Sequence, residues 1–162
     1  MRISATRIGM YTRCGLQYFN REIQGLTRPP GIAARIGSGA HAAIEADLKH
    51  KMETGELLPT EQIADTARDT FTNLMTAEGA LWTEEELANK EKTLGTATDM
   101  SIKCATAYHE QLAPRIYPIA VEKAWAVKLN DNWDLSGHID CLELAGIRDA
   151  KTCASTPKVM KA

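Results

Sequence analysis

Two acidic residues and a lysine near the end of the sequence could together carry out chemistry on a phosphate group. Asp140 lies in the segment GHID, and Asp149 and Lys151 lie in the segment IRDAKT that follows. Asp149 and Lys151 are two residues apart, so on a strand their side chains project from the same face. If Ala145 and Gly146 form a two-residue turn, Asp140 pairs with Lys151, and both carboxylates and the ammonium share one face.

Such a cluster favours a bound cation, because two neighbouring carboxylates repel each other unless a positive charge lies between them. Mg²⁺ or Mn²⁺ suits carboxylate and water ligands better than zinc does. The metal could activate water, and Lys151 could orient that water or neutralise charge that develops on the phosphate. The alternative is a surface salt bridge between Lys151 and either Asp140 or Asp149, which contributes little to stability. Spacing alone favours the salt bridge, because D-x-K tripeptides are frequent by chance.

Charge is distributed unevenly along the 162 residues, although the net charge is only −2. Residues 1–44 contain six arginines and one acidic residue, whereas residues 45–113 contain six basic and fourteen acidic residues. The first segment is therefore a candidate phosphate-facing surface, with Arg13, Arg21 and Arg35 as candidate DNA contacts. An ordinary solvated surface is the alternative interpretation.

The composition indicates a globular chain that remains in the cytoplasm. Hydrophobic residues make up 44% and charged residues 25%, and no apolar run reaches the roughly 18 residues of a membrane span. The N-terminus has no signal-peptide core. The cysteines are widely spaced, which argues against a zinc ribbon and predicts reduced thiols. They are Cys14, Cys104, Cys141 and Cys153.

Helices are predicted for the first two thirds of the chain. Ser4 can cap a helix that ends near Cys14, and an apolar residue at every fourth position predicts a helix over 32–52. Two more helices are expected, one starting at residue 60 and a long one that follows a capping box at residues 83–86 and ends before residue 114. Gly37 and Gly39 lie inside the second of these four helices, which indicates close approach of another backbone or of a ligand.

The hydrophobic pattern switches to a period of two after residue 114. Strands are expected over 121–129, 133–141 and 147–153, with turns at 130–132 and 145–146, so the strands form an antiparallel meander. Helices followed by strands indicate an α/β fold with α+β-like order, in which a helical N-terminal half packs on a central mixed β-sheet. A single domain is expected over 1–162. Its parts are N-terminal helices (1–58), a helical insertion (59–113) and the β-meander (114–162).

Four motifs, in this order, resemble the RecB-like branch of the PD-(D/E)XK nuclease superfamily, including relatives in CRISPR adaptation and phage exonucleases. They are ISATRIGMYTRCGLQYFNREIQGL, IGSGAHAAIE, GHID and IRDAKT, and they extend from residue 3 to residue 152. The resemblance implies a restriction-endonuclease-like fold and a metal-dependent DNA nuclease. His41, Asp140 and Asp149 would then bind Mg²⁺ or Mn²⁺, the Ala150 carbonyl would face the metal, and Lys151 would be the catalytic lysine.

Three further residues near these motifs have more than one interpretation. His41 lies at the edge of the apolar helix face, where a lone histidine is more often structural than a ligand, but its place in the motif favours ligation. Glu122 matches a glutamate that often precedes the GxxD strand in such nucleases. We expect a solvated strand residue there, with an additional metal ligand as the alternative. His138 is expected to be a bystander or a DNA contact.

The sequence departs from the family pattern in three ways. Cys14 is followed by Gly15 instead of the usual proline. Some relatives hold an iron–sulfur cluster with one early and three late cysteines, but only Cys14 matches, so no cluster is expected. The later helix with a Q-x-x-x-Y pattern is missing, although residues 156–162 could begin it. We therefore expect either a fragment truncated at its C-terminus or a homo-oligomer that covers an exposed sheet edge, with weak activity in isolation.

The preferred function is hydrolysis of DNA phosphodiester bonds by metal-activated water. An exonuclease-like role in DNA recombination, repair, or phage or CRISPR DNA processing follows from the resemblance. One alternative is a catalytically incomplete nuclease-fold module that binds DNA or a protein partner. Another is a small structural or regulatory protein in which the D-x-K tripeptide is accidental.

Overall fold

The computed structural model describes residues 2–152, so the expectations for Cys153 and for a helix over 156–162 lie outside the described residues. A two-residue strand, β1 (Arg2–Ile3), comes first, and helices follow it. These are α1 (Ala5–Arg13), α2 (Gly15–Tyr18), a π-helical turn (Phe19–Ile23), α3 (Ile32–Thr54), α4 (Thr60–Ala77), α5 (Glu84–Ala88) and α6 (Lys90–Gln111). A 3₁₀ turn (Ala113–Arg115) leads to β2 (Ala120–Lys128), β3 (Asp134–Glu143) and β4 (Gly146–Arg148). None of the described helices is long and apolar enough to cross a membrane.

Local capping explains where several helices begin and end. The Ser4 hydroxyl accepts a hydrogen bond from the Arg7 N–H at the start of α1, as predicted. Thr83 forms the predicted capping box at the start of α5. The expectation of one continuous helix after it is wrong, because the backbone of Asn89 leaves the helical region (φ −121°, ψ 40°) and separates α5 from α6.

The three long helices pack against one another around small side chains. Ala40, Ile63 and Ala67 are fully buried where α3, α4 and α6 meet. A Cβ added at Gly39 would lie 2.9 Å from the Ala67 carbonyl oxygen and would clash with the Ser101 hydroxyl. The predicted close approach of another backbone at this glycine is therefore confirmed.

The sheet is mixed, as predicted, because a parallel strand joins an antiparallel meander. β3 pairs antiparallel with β2 along nearly its whole length. On its other edge, β3 pairs in parallel with β1 at its first residues and antiparallel with β4 at its last. α3 packs on β2. Cys141 of β3 is buried against Ile44 and Leu48 of α3, which fixes the distance between this helix and the sheet.

The hairpin between β3 and β4 differs from the expected register by two residues. Leu142 pairs with Ile147 and Glu143 with Gly146, so the turn is Leu144–Ala145 and not Ala145–Gly146. The buried Glu143 carboxylate accepts hydrogen bonds from the Tyr117 N–H and from Arg148, which holds this register. A two-residue shift keeps every side chain on its predicted face. Continued past β4, it places Asp149, and not Lys151, opposite Asp140.

Candidate metal centre and its cleft

The first member of the site is His41, which α3 presents toward β2. The His41 side chain is 34% exposed, and its Nε2 lies 2.7 Å from Oε1 of Glu122. Ala40 and Ile44, its neighbours on the helix, are buried in the core. The histidine therefore lies at the edge of the buried face, where it can reach the sheet and still meet solvent.

Glu122 is aimed at His41 by an unusual backbone conformation. Its φ is 50°, and among residues 2–152 it is the only residue other than glycine with a positive φ. Left-handed backbone costs a non-glycine residue about 1–2 kcal/mol. The side chain is 24% exposed and contacts His41, so the expectation of a solvated strand residue is wrong.

Asp140 completes a group of three possible metal ligands. Ligand atoms of His41, Glu122 and Asp140 all lie within 4.8 Å of one another. They come from α3, β2 and β3, and Glu122 falls between the pairs Val121–Cys141 and Lys123–Ile139, directly opposite Asp140. One imidazole and two carboxylates provide nitrogen and oxygen donors, which fit Mn²⁺ and are compatible with Mg²⁺. This donor set therefore fits a divalent cation.

The segment after β4 passes close to Asp140. The Ala150 N–H donates a hydrogen bond of 3.0 Å to Oδ2 of Asp140, which orients that carboxylate. Burial raises the pKa of Asp140, and the nearby Asp149 carboxyl raises it further, whereas the Ala150 hydrogen bond and the charge of His41 oppose the shift. The structure therefore brings the carboxyls of Asp140 and Asp149 and the backbone N–H of Ala150 close together.

Lys151 lies on the outer side of this group. Its Nζ is 2.5 Å from Oδ1 of Asp149, and the two side chains are 75% and 57% exposed. The hydrogen bond between them raises the pKa of Lys151 and lowers that of Asp149. The salt bridge that spacing alone favours is therefore present, and it lies beside the three possible ligands.

A cleft opens next to these residues. Its volume is about 960 Å³, and His41, Asp149 and Lys151 contribute to its lining. α6 supplies another part of the wall through Tyr108 and Gln111. A substrate in this cleft would meet His41, Asp149 and the ammonium of Lys151, and Glu122 and Asp140 lie behind His41 in the group of possible ligands.

A family model of the PD-(D/E)XK nuclease superfamily matches residues 2–161. The chain belongs to this superfamily. Searches of curated proteins and of solved structures found no match. PD-(D/E)XK nucleases use divalent metals, and the His41, Glu122 and Asp140 group is a site of suitable chemistry.

Of the three arginines expected to contact DNA in this PD-(D/E)XK chain, one is buried. Arg13 and Arg21 are exposed. Arg35 is only 4% exposed, and its guanidinium donates hydrogen bonds of 2.9 Å to the Gly79 carbonyl and to Glu78. The expectation that Arg35 lies on a DNA-facing surface is wrong, because its guanidinium is buried and connects α3 to the end of α4 by hydrogen bonds.

Proposed function

We propose that this PD-(D/E)XK chain is a deoxyribonuclease that hydrolyses phosphodiester bonds with Mg²⁺ or Mn²⁺. The observation that carries the proposal is the convergence of His41, Glu122 and Asp140 from three separate elements. The neighbouring Asp149 and Lys151 match the D-x-K motif of the superfamily and line the same cleft.

His41, Glu122 and Asp140 would hold the divalent cation, with Asp149 as an additional carboxylate. A bound divalent cation lowers the pKa of water and stabilises negative charge on phosphate oxygens. In the hydrolysis, the oxygen of water bonds to phosphorus and the phosphorus–oxygen bond to one sugar breaks. A proton from the water ends on the released sugar oxygen.

Lys151 contributes a positive charge at the rim of the cleft. Its ammonium can stabilise the charge that develops on the phosphate or orient the attacking water. Asp149 holds the Lys151 ammonium in place through their 2.5 Å hydrogen bond. The Ala150 N–H likewise orients the Asp140 carboxylate by a hydrogen bond. The segment 149–151 therefore positions both a possible metal ligand and the lysine.

The RecB-like motifs of the sequence support an exonuclease-like role in DNA recombination, repair, or phage or CRISPR DNA processing. An exonuclease needs a free DNA end. Linear DNA labelled at one end should therefore be degraded with Mn²⁺ or Mg²⁺, while a covalently closed circle of the same sequence persists. Cleavage of both at equal rates would assign the chain to the endonucleases.

The catalytic residues are tested by comparing two similar lysine–aspartate pairs. Lys151→Ala and Asp149→Ala should each lower the rate of metal-dependent DNA cleavage by at least about a hundredfold, the scale of losing one charge-stabilising group in a preorganised site. Lys128 at the end of β2 and Asp131 in the turn that follows form an exposed ion pair. Lys128→Ala and Asp131→Ala are therefore controls that should retain the wild-type rate.

Two outcomes would contradict the proposal. Equal rates for the Lys151 and Lys128 variants would remove Lys151 from the chemistry. Binding of DNA and Mn²⁺ without any cleavage would favour the catalytically incomplete module over the nuclease.

A further inference from the structure

The first part of the chain forms a segment that packs weakly against the rest. We define the N-terminal arm as residues 2–28, which include β1, α1, α2 and the π-helical turn. Within this described range Met10 is the one buried residue. The arm is attached through the pairing of β1 with β3 and through packing of α1 on β3. Its remaining surface is available to a partner.

The exposed surface of the arm is basic. The arm contains five arginines and one acidic residue, Glu22. Glu22 pairs with Arg7 at 2.6 Å and lies 3.7 Å from Arg21. Arg13 contacts the neutral Gln17, so most of the positive charge is not neutralised within the arm. Such a surface complements a polyanion.

Aromatic rings are interleaved with these arginines. Tyr11 is 63% exposed and Phe19 is 46% exposed. Tyr18 packs edge-on against Tyr11, with ring centroids 5.5 Å apart and an interplanar angle of 85°. In the sequence, Arg13 lies two residues after Tyr11, and Arg21 lies two residues after Phe19.

We propose that the N-terminal arm binds single-stranded DNA, with bases stacked on Tyr11 and Phe19 and phosphates bound by Arg13 and Arg21. This inference rests on the proposed function, because it names the form of DNA that reaches the catalytic cleft. Exposed rings beside basic side chains are the combination that binds single strands without sequence preference. A duplex satisfies the charge but not the rings, because its bases are already stacked on each other.

The attachment of the arm to β3 lies at a distance from the candidate metal centre. β1 pairs with β3 at Asp134 and Leu135, and Asp140 lies six residues farther along the strand, about 20 Å at about 3.4 Å per residue. A DNA strand that contacts both this attachment and Asp140 must therefore span several nucleotides. Very short oligonucleotides should bind independently of the arm, and longer ones should depend on it.

Binding is measured by fluorescence anisotropy with a labelled oligothymidylate of 20 nucleotides, in EDTA so that no cleavage occurs. The double variant Tyr11→Ala/Phe19→Ala should bind at least about tenfold more weakly than wild type, and Tyr11→Trp/Phe19→Trp should retain affinity. Arg13→Gln/Arg21→Gln should flatten the dependence of affinity on salt. The matched charge control is Lys92→Gln/Lys103→Gln on α6, which should leave the slope unchanged.

The matched control for the rings is Leu16→Ala/Ile23→Ala, which removes exposed aliphatic side chains from the same arm. It should retain the wild-type affinity, because an aliphatic group cannot replace a stacked ring. Equal losses in the aromatic and aliphatic variants would overturn the proposal and indicate a general apolar surface. So would equal affinity for the single strand and its duplex, or sedimentation with phosphatidylglycerol vesicles without binding to DNA.

Failure of this inference can be separated from failure of the proposed nuclease function. Binding with no metal-dependent cleavage by wild type would refute the nuclease and leave the arm's role intact. Cleavage that the aromatic variant carries out normally on long single strands would refute the arm's role alone.

Discussion

At Glu122 the protein holds a carboxylate at the candidate metal centre through a backbone conformation that few residues adopt. The φ of 50° turns a residue of β2 toward His41. Conformations of this kind cost about 1–3 kcal/mol and persist only where the surroundings impose them. We infer that the strain is retained because the carboxylate is needed between His41 and Asp140.

Two substitutions at this residue separate the strain from the carboxylate. Glu122→Ala removes the carboxylate and keeps the strained backbone, whereas Glu122→Gly removes both. The glycine variant should therefore be more stable than the alanine variant, by about 1 kcal/mol in the free energy of unfolding measured in urea. Both should bind Mn²⁺ more weakly than wild type. An alanine variant as stable as the glycine variant would argue against left-handed backbone at this position.

The position of Glu122 opposite Asp140 follows from a turn that the sequence predicts. A turn at residues 130–132 pairs residue 129 with residue 133, and the same register places Glu122 opposite Asp140. The positive φ could not be predicted, because it depends on the contact with His41 from another element. The burial of Arg35 could not be predicted for a similar reason, since its partners, Glu78 and Gly79, are more than forty residues away in the sequence.

At the scale of the elements, the close contact of α3 with α4 depends on Gly39. Gly39→Ala should destabilise the fold by about 1–3 kcal/mol, because the added methyl group meets the Ala67 carbonyl and Ser101. Gly95 of α6 has no atom within 4 Å of an added Cβ. Gly95→Ala should therefore stabilise the protein by about 1 kcal/mol. Thermal unfolding followed by circular dichroism distinguishes the two, and equal effects would contradict this packing.

The elements themselves were largely predictable from local patterns, and their exact ends were not. The apolar repeat predicts α3, and alternation predicts β2 and β3, because both reflect which face is buried. The break at Asn89 and the turn at Leu144–Ala145 have no such pattern. The second of these depends on Glu143, whose carboxylate is held by Tyr117 and Arg148. Those hydrogen bonds lower the pKa of Glu143.

At the scale of the whole molecule, β3 carries both the attachment of the basic arm and one of the possible metal ligands. The basic arm is attached at one end of β3, and the possible metal ligands lie toward the other end. The acidic segment 45–113 forms most of the helical layer. β3 is thus the element that connects the arm to Asp140 of the candidate metal centre.

The central claim is that His41, Glu122 and Asp140 hold a divalent cation, and isothermal calorimetry with Mn²⁺ tests it most directly. Wild type should bind Mn²⁺, and Glu122→Gln/Asp140→Asn should lose at least about a hundredfold in affinity, since even residues that only orient ligands contribute roughly 10–100-fold. Glu56→Gln/Asp131→Asn, which changes two exposed acids, should bind as wild type does. Unchanged Mn²⁺ binding by Glu122→Gln/Asp140→Asn would contradict the account.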